Sequence, residues 1–326
     1  MTARVSVVTP FYNTAPYLAE CIDSVLAQSH ADFEYVLCDN HSTDGGGEIA
    51  ARYAARDPRL RVVRPPAFLD QVPNYNFALR QIAADTGYVK IVQADDTIFP
   101  RCLSEMVALA EAHPSIGVVS AYRMFGTDVQ PSGLAHTRTF LTGRDACRVV
   151  LADGIYLFGS PTTVMFRADL VRGRRPFYTE GRLFEDAEVC FELLAGCDFG
   201  FVHQVLSFTR TENDSLWRGM RAYDGWLLAR RNQLAQFGRQ CLAPDEFDRL
   251  WRLRQRQYRS FLAEALLARR DEGFWKFHER GLATVGDAID RKALVRDAVR
   301  VALGYAASPR RLAGLLRRPR PPTSER

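Results

Sequence analysis

The sequence predicts an α/β fold: an open, mostly parallel sheet flanked by helices, with a helical extension at the C-terminal end. Three observations predict it. Short apolar runs alternate with helical stripes from Val5 to Tyr122, polar clusters follow the strand-like runs directly, and after about Ser215 apolar residues recur only at helical spacing.

VSVVT (5–9) is a continuous apolar run, as a buried parallel strand requires, and it ends at Pro10. Tyr17, Leu18, Cys21, Ile22, Val25 and Leu26 then form a helical stripe, with Thr14 in the capping position and Pro16 near the first turn. EYVLC (34–38) reads as a second strand ending at Asp39, and STDGGGEIAARYAAR (42–56) as a loop feeding a helix. RLRVVR (59–64) is a third strand. A helix over 74–84 leads to a fourth, YVKIVQ (88–93). Asn74 and Asn76 either cap that helix or reach a ligand, with capping the better reading for each alone. Pro100 opens a helix that ends near His113–Pro114, and IGVVSAY (116–122) is the fifth strand. GSPTTVMFR (159–167) reads as a loop entering a strand, and VLSFTR (205–210) as a late strand.

Composition limits the function classes. The 326 residues are 47 % hydrophobic and 25 % charged, the balance of a soluble globular chain with a sizeable core. No apolar run reaches the roughly 18 residues of a membrane helix, and MTARVSVVTPFYN enters a strand without a signal-peptide pattern. The seven Cys are scattered without CxxC spacing, and His41, His113, His136 and His203 suggest no metal site, so reduced thiols in a cytoplasmic protein are expected. Net charge is asymmetric. Residues 217–326 hold 24 Lys/Arg against 12 Asp/Glu, which from chain totals of 43 and 38 leaves 19 against 26 in residues 1–216. An acidic front region argues against nucleic acid as a partner.

Ligands of open α/β sheets bind where the carboxyl ends of the strands meet the loops. TPFYN, DNHSTD and QADD stand at three such ends. There is no GxGxxG after the first strand and no GxxxxGK[ST], so neither a dinucleotide turn nor an NTPase loop is present. The adjacent carboxylates Asp95 and Asp96 repel one another. They can hold a phosphate only through a hard divalent cation, Mg²⁺ or Mn²⁺.

The ordered series PFYN, SVLAQS, DNHSTD, QADD, FEDAEVCFELLAG and VLSFTR resembles the family 2 glycosyltransferases, inverting enzymes of the GT-A fold, over residues 3 to 215. GT-A is a Rossmann-like open mixed sheet flanked by helices. The resemblance implies that Pro10 and Tyr12 shape the nucleotide pocket, with the Tyr12 ring against the base. It also implies that Asp39 accepts hydrogen bonds from the base, and that Asp95 and Asp96 supply the metal ligand and a ribose contact. It makes Asp186 the general base, with Glu185 orienting the acceptor; an ordinary first-turn carboxylate is the rival reading of Asp186. Asn76, in VPNYNFALRQ after the third strand, is a further candidate for the nucleotide set, with a helix cap as its rival reading. Ser160, Thr162 and Arg210 join the acceptor side, although a surface turn and a structural salt bridge compete as readings.

Three positions depart from the common pattern. Gln93 replaces the first Asp of a DxD-type motif, Asn40 follows Asp39 where a second Asp is usual, and Glu212 stands near the place of a His after VLSFTR. Metal binding is expected to survive the loss at Gln93.

The expected organisation is a catalytic domain over 1–215, a helical lobe over 216–308 and a disordered basic Pro/Arg-rich tail over 309–326. The basic, apolar-interleaved C-terminal region either lies on an anionic membrane or is a solvated helix and tail. The expected activity is metal-dependent inverting transfer of a sugar from a nucleotide-diphosphate donor to a saccharide or lipid-linked saccharide. The setting is bacterial cell-envelope polysaccharide synthesis, in the cytoplasm or peripherally on the inner membrane face. A non-catalytic nucleotide-sugar-binding or scaffold protein is the alternative, kept open by Gln93 and Glu212. A nucleotidyltransferase is disfavoured because TPFYN replaces the Gly-rich, basic turn it needs.

Overall fold

The structure, a computed structural model, describes residues 3–211 and 223–306. The chain divides into two compact units, Met1–Asn213 and Asp214–Arg326. The expected tail over 309–326, the helix start over 217–222 and Glu212 lie outside the described residues.

The first unit is built on a mixed sheet in the order β3-β2-β1-β4-β9-β6-β10-β5. Its left half is parallel: β1 (Val5–Phe11) lies between β2 (Phe33–Asp39) and β4 (Tyr88–Ile91), with β3 (Leu60–Val63) outside β2. The helices that make these crossovers are α1 (Ala15–Leu26), α2 (Gly46–Ala54) and α3 (Gln71–Leu79). Leu18, Cys21, Ile22 and Val25 of α1 are buried, which is why that stripe forms a helix. Thr14 stands at the N-cap position, but its hydroxyl makes no cap; its carbonyl accepts from Tyr17 and Leu18 instead.

After β4 the chain makes a tight turn into β5 (Thr97–Ile98), then α4 (Cys102–Ala112), β6 (Ile116–Phe125) and β7 (Asp128–Gln130). Next come β8 (Phe140–Leu141) and α5 (Gly143–Arg148), whose last turn widens into a π-turn over Val149–Asp153. β9 (Met165–Arg167) runs antiparallel between β4 and β6, and α6 (Ala168–Arg172) follows it. α7 (Glu185–Leu193) packs on β6 and leads to β10 (Asp198–Thr209), parallel to β6. The antiparallel β9 makes this sheet mixed rather than wholly parallel.

The second unit is helical: α8 (Gly225–Cys241), α9 (Pro244–Leu267), α10 (Glu272–Ala283) and α11 (Arg291–Ala306). Buried Phe237, Phe247, Tyr258, Leu262 and Phe274 form its interior. Arg231 is also buried there, bonded to Asn232 and paired with Asp287. Among the described residues no helix is long and apolar enough to cross a membrane.

Candidate active site

The polar clusters after β1, β2 and β4 meet at one edge of the sheet. Phe11 and Asp39 are register partners, so the two parallel strands end level, and the loops beyond them bind each other. Asn13 Oδ1 accepts from the Thr43 N–H at 2.8 Å, and the Asn13 N–H donates to Ser42 Oγ at 3.2 Å. Asn13 and His41 both hold positive φ, 50° and 63°, a backbone strain that collects at sites whose surroundings fix them. The glycines after Asp44 have a local reason. Gly45 sits at φ 91°, and a Cβ on Gly47 would come within 3.0 Å of Asp39 Oδ2.

Asp39 is buried; its Oδ1 accepts from the Ser42 N–H at 2.8 Å, and its Oδ2 pairs with Arg64. The Tyr12 ring is 45 % exposed beside Asp39's strand end and meets the 54 % exposed Phe68 edge-on, centroids 4.9 Å apart. Two exposed rings next to a buried carboxylate make a surface suited to a flat, hydrogen-bonding ligand.

The turn after β4 carries Asp95 and Asp96. Asp96 is 2 % exposed; its Oδ1 accepts from the Arg210 N–H at 3.1 Å, while Oδ2 is buried with no partner among the described residues. Burial, then the neighbouring Asp95, raises the Asp96 pKa; Asp95 is raised by burial too. Two carboxyls held so stay ionised more readily when a cation joins them. Behind the turn, Lys90 of β4 is fully buried and donates to the carbonyls of Thr162 and Val164, at 2.5 and 3.2 Å.

A second acidic pair, Glu185–Asp186, opens α7. Asp186 Oδ1 accepts from the Ala187 N–H at 2.8 Å, and burial raises its pKa, against the opposing pull of Arg123. Glu185 is pushed up to about 7 by burial and then by Asp186. Glu188, one helical turn on, is also pushed to about 7, chiefly by burial, although Arg182 lies 3.5 Å away. A carboxylate of raised pKa is a stronger base while it remains ionised.

The other expected site residues have the following surroundings. Pro10 is buried in β1, opposite Cys38 and two residues before Tyr12. α3 begins at Gln71, so Asn74 and Asn76 lie inside the helix and cap nothing. The buried Asn76 carboxamide donates to the Tyr178 carbonyl at 2.9 Å and accepts from the Tyr178 N–H at 2.8 Å. Thr162 is fully buried, with its hydroxyl accepting from the Gln93 N–H at 3.0 Å. Ser160 stays partly exposed, its hydroxyl 3.3 Å from that of Thr163. Arg210 ties the Asp95–Asp96 turn to α1. Its Nε donates to the Asp95 carbonyl at 3.2 Å, its Nη2 to Glu20 at 2.8 Å, and its guanidinium lies 4.7 Å from the Tyr17 ring centre.

Sequence reasoning missed Phe68, Lys90 and Arg123. A lone Phe among prolines and a Lys inside an apolar strand were visible signals; Arg123 gave none.

Known proteins match in the same region. The family described as Glycosyl transferase family 2 matches residues 6–174, more than half of the chain. The putative glycosyltransferase EpsE of Bacillus subtilis (strain 168) is 29 % identical over 227 residues, covering 68 % of this chain and 77 % of that protein. The glycosyltransferase GlyG of Streptococcus pneumoniae serotype 4 is 27 % identical over 233 residues, 67 % of this chain and 74 % of the relative. Among solved structures, S. aureus TarS 1-349 in complex with UDP-GlcNAc superposes with TM-score 0.62 at 17 % identity, covering 86 % of this chain and 80 % of that one. The mannosyltransferase PcManGT from Pyrobaculum calidifontis, in complex with GDP-Man and Mn²⁺, gives 0.53 at 21 % identity, with 97 % and 84 % covered. At such identities these two structures share the fold, GT-A.

Proposed function

This chain belongs to glycosyl transferase family 2, and we propose that it moves a sugar from a nucleotide-diphosphate donor to a hydroxyl of a saccharide or lipid-linked saccharide in bacterial cell-envelope polysaccharide synthesis. The observation that carries the reading is a buried Asp96 on the acidic turn after β4, together with the exposed Tyr12–Phe68 pair beyond the carboxyl end of β1.

In this reading Tyr12 and Phe68 hold the base, and Asp39 receives a base N–H once Arg64 moves off Oδ2. Asp95 and Asp96 fit a divalent cation: both are hard oxygen donors, and Asp96 Oδ2 is buried without a partner. Among the described residues no group of three or more His, Cys, Asp or Glu is arranged to hold a metal alone. Asp95 and Asp96 would hold Mg²⁺ or Mn²⁺ in the presence of the donor diphosphate, since either ion suits carboxylate and phosphate oxygens. When bound, such an ion offsets the charge that develops on the leaving diphosphate.

Asp186 takes the proton of the attacking hydroxyl as its oxygen bonds to the anomeric carbon. The bond from that carbon to the diphosphate breaks on the opposite face, and the centre inverts. One base suffices for a single displacement, and Glu185 beside it orients the acceptor. Arg210 and Thr162 fix the Asp95–Asp96 turn from behind.

The test is calorimetric titration with UDP, GDP, dTDP and CMP, with and without Mn²⁺, followed by transfer assays with sugars on whichever nucleotide binds. Metal-dependent binding of one nucleoside diphosphate supports the reading; no binding by folded protein overturns it. α11 adds a proposal for location. Val295, Val299 and Leu303 are exposed at four-residue spacing, among Arg291, Lys292, Arg296 and Arg300, a face suited to the headgroup region of an anionic membrane. Sedimentation with phosphatidylglycerol vesicles but not phosphatidylcholine vesicles checks it.

A further inference from the structure

Arg123 stands inside the first unit on β6, with only 4 % of its surface exposed. Its Nη2 donates to Gln130 Oε1 of β7 at 3.2 Å, and its guanidinium carbon lies 4.8 Å from the Phe125 ring centre. Nε and Nη1 are buried and have no hydrogen-bond partner among the described residues. An arginine placed so loses the hydration of its charge and leaves donors unmet, a cost that stability alone does not recommend. Something in the site must use the charge.

The surrounding elements indicate what. β6 lies beside β10, where Arg123 is the register partner of Ser207, and the end of β10 supplies the Arg210 N–H that holds Asp96. On another side α7 packs on β6, and α7 begins with Glu185 and Asp186. Asp96 and Asp186 are the two carboxylates within electrostatic reach of the guanidinium, together with the Tyr156 phenol. The other titratable groups near Asp186 are Glu185, Glu188 and Cys190 of α7, with Tyr156 and Tyr178 from the segments before it. Arg123 is the cation whose charge opposes the effect of burial on Asp186.

We propose that Arg123 is a positioning residue that keeps Asp186 ionised in its buried setting, and so sets the lower pH limit of sugar transfer. The inference rests on the assignment of Asp186 as the general base. Arg123 touches no reacting atom in this account and moves no proton. It acts by charge.

The test separates this from the base assignment. First, Asp186→Asn is expected to abolish transfer while nucleotide affinity stays within about twofold; if transfer survives, the base assignment fails, and the proposal with it. Second, with transfer by the wild type measured from pH 5 to 9, the acid limb of kcat/KM is compared with that of Arg123→Gln, Arg123→Met and Arg123→Lys. A nearby opposite charge lowers a carboxyl by about 1–3 units, so the two neutral variants are expected to move the limb upward by about one unit. Arg123→Lys, which keeps the charge, is expected to leave it near the wild-type position. A purely structural Arg123 would lower kcat/KM at every pH and leave the limb in place, and that result overturns the proposal. If Arg123→Gln and Arg123→Met do not fold, Arg123→His takes their place, since a buried imidazole is neutral over most of this pH range. A limb moved upward in Arg123→His supports the proposal, and a limb left at the wild-type position overturns it.

Discussion

The two acidic pairs of the site, Asp95–Asp96 and Glu185–Asp186, are the same chemical motif in two different settings. The first sits on a tight turn after a parallel strand and is tied down on its backbone side by Arg210 and Thr162, with one Asp96 oxygen left unpartnered. The second opens a helix, with Glu188 one turn further on and the buried Arg123 opposite. Both pairs have raised carboxyl pKa values, and in both burial is the leading cause. Arginines of the fold oppose burial in both, Arg210 and Arg123 at the first pair and Arg123 at the second. The first pair adds a buried Asp96 oxygen that has no hydrogen-bond partner among the described residues, a place for a further cation. Adjacent carboxylates therefore do not define a role; the setting does.

The sharpest way to break that comparison is Asp186→Asn, which is expected to lower single-turnover transfer by about 10³-fold, within the range that general bases contribute. Nucleotide affinity measured by calorimetry should hold. The mirror experiment is Asp96→Asn: nucleoside diphosphate affinity in Mn²⁺ is expected to fall by about tenfold or more, since a carboxylate between metal and protein is lost. In EDTA the variant and the wild type should bind alike. Equal loss of metal-dependent binding in both variants would mean that the pairs share one role.

A smaller effect is expected from the aromatic pair. Base stacking on an aromatic side chain contributes about 1–3 kcal/mol, so Tyr12→Ala should weaken nucleotide binding by about tenfold, in metal and in EDTA alike. A loss seen only with metal present would place Tyr12 near the diphosphate instead.

The smallest effect is on stability. Glu185 and Glu188 titrate near 7 in the folded protein, above their unfolded value of about 4.3. Between those limits the folded state binds more protons, so stability falls as pH rises through the window and is lowest above 7. Thermal unfolding without metal is expected at higher temperature at pH 5.5 than at pH 8, in the range where no other transition intervenes. Glu188→Gln should raise the melting temperature at pH 8 and flatten the dependence; a melting temperature that rises with pH would remove burial as the cause.

Much of the first unit was legible in the sequence. Apolar runs bounded by Pro10, Asp39 and Asp95 marked buried strands, because a strand covered on both faces has to be apolar throughout. The ends of those strands carried the donor-side candidates for the same reason, since only there does the chain leave the core. Boundaries were less legible: α3 starts at Gln71, with extended Asp70 at the N-cap position, so Asn74 falls inside the helix and does not cap it. The antiparallel β9 was visible as a strand, but its direction was not, since a three-residue run reads alike either way.

By itself the sequence determined which residue types stand at which strand ends, and through them the family. Backbone order and side-chain chemistry are written along the chain. Tertiary structure alone decided which of those polar groups remain available. Asn76, Thr162 and Arg210 looked equal to Tyr12 and Asp96, yet each is consumed by a partner distant in sequence: Tyr178, Gln93, and Asp95 with Glu20. Arg123, unremarkable in SAYRMFG, became a buried cation within electrostatic reach of both Asp96 and Asp186. Burial and pairing depend on what the fold brings from elsewhere, and no local pattern of residues encodes them.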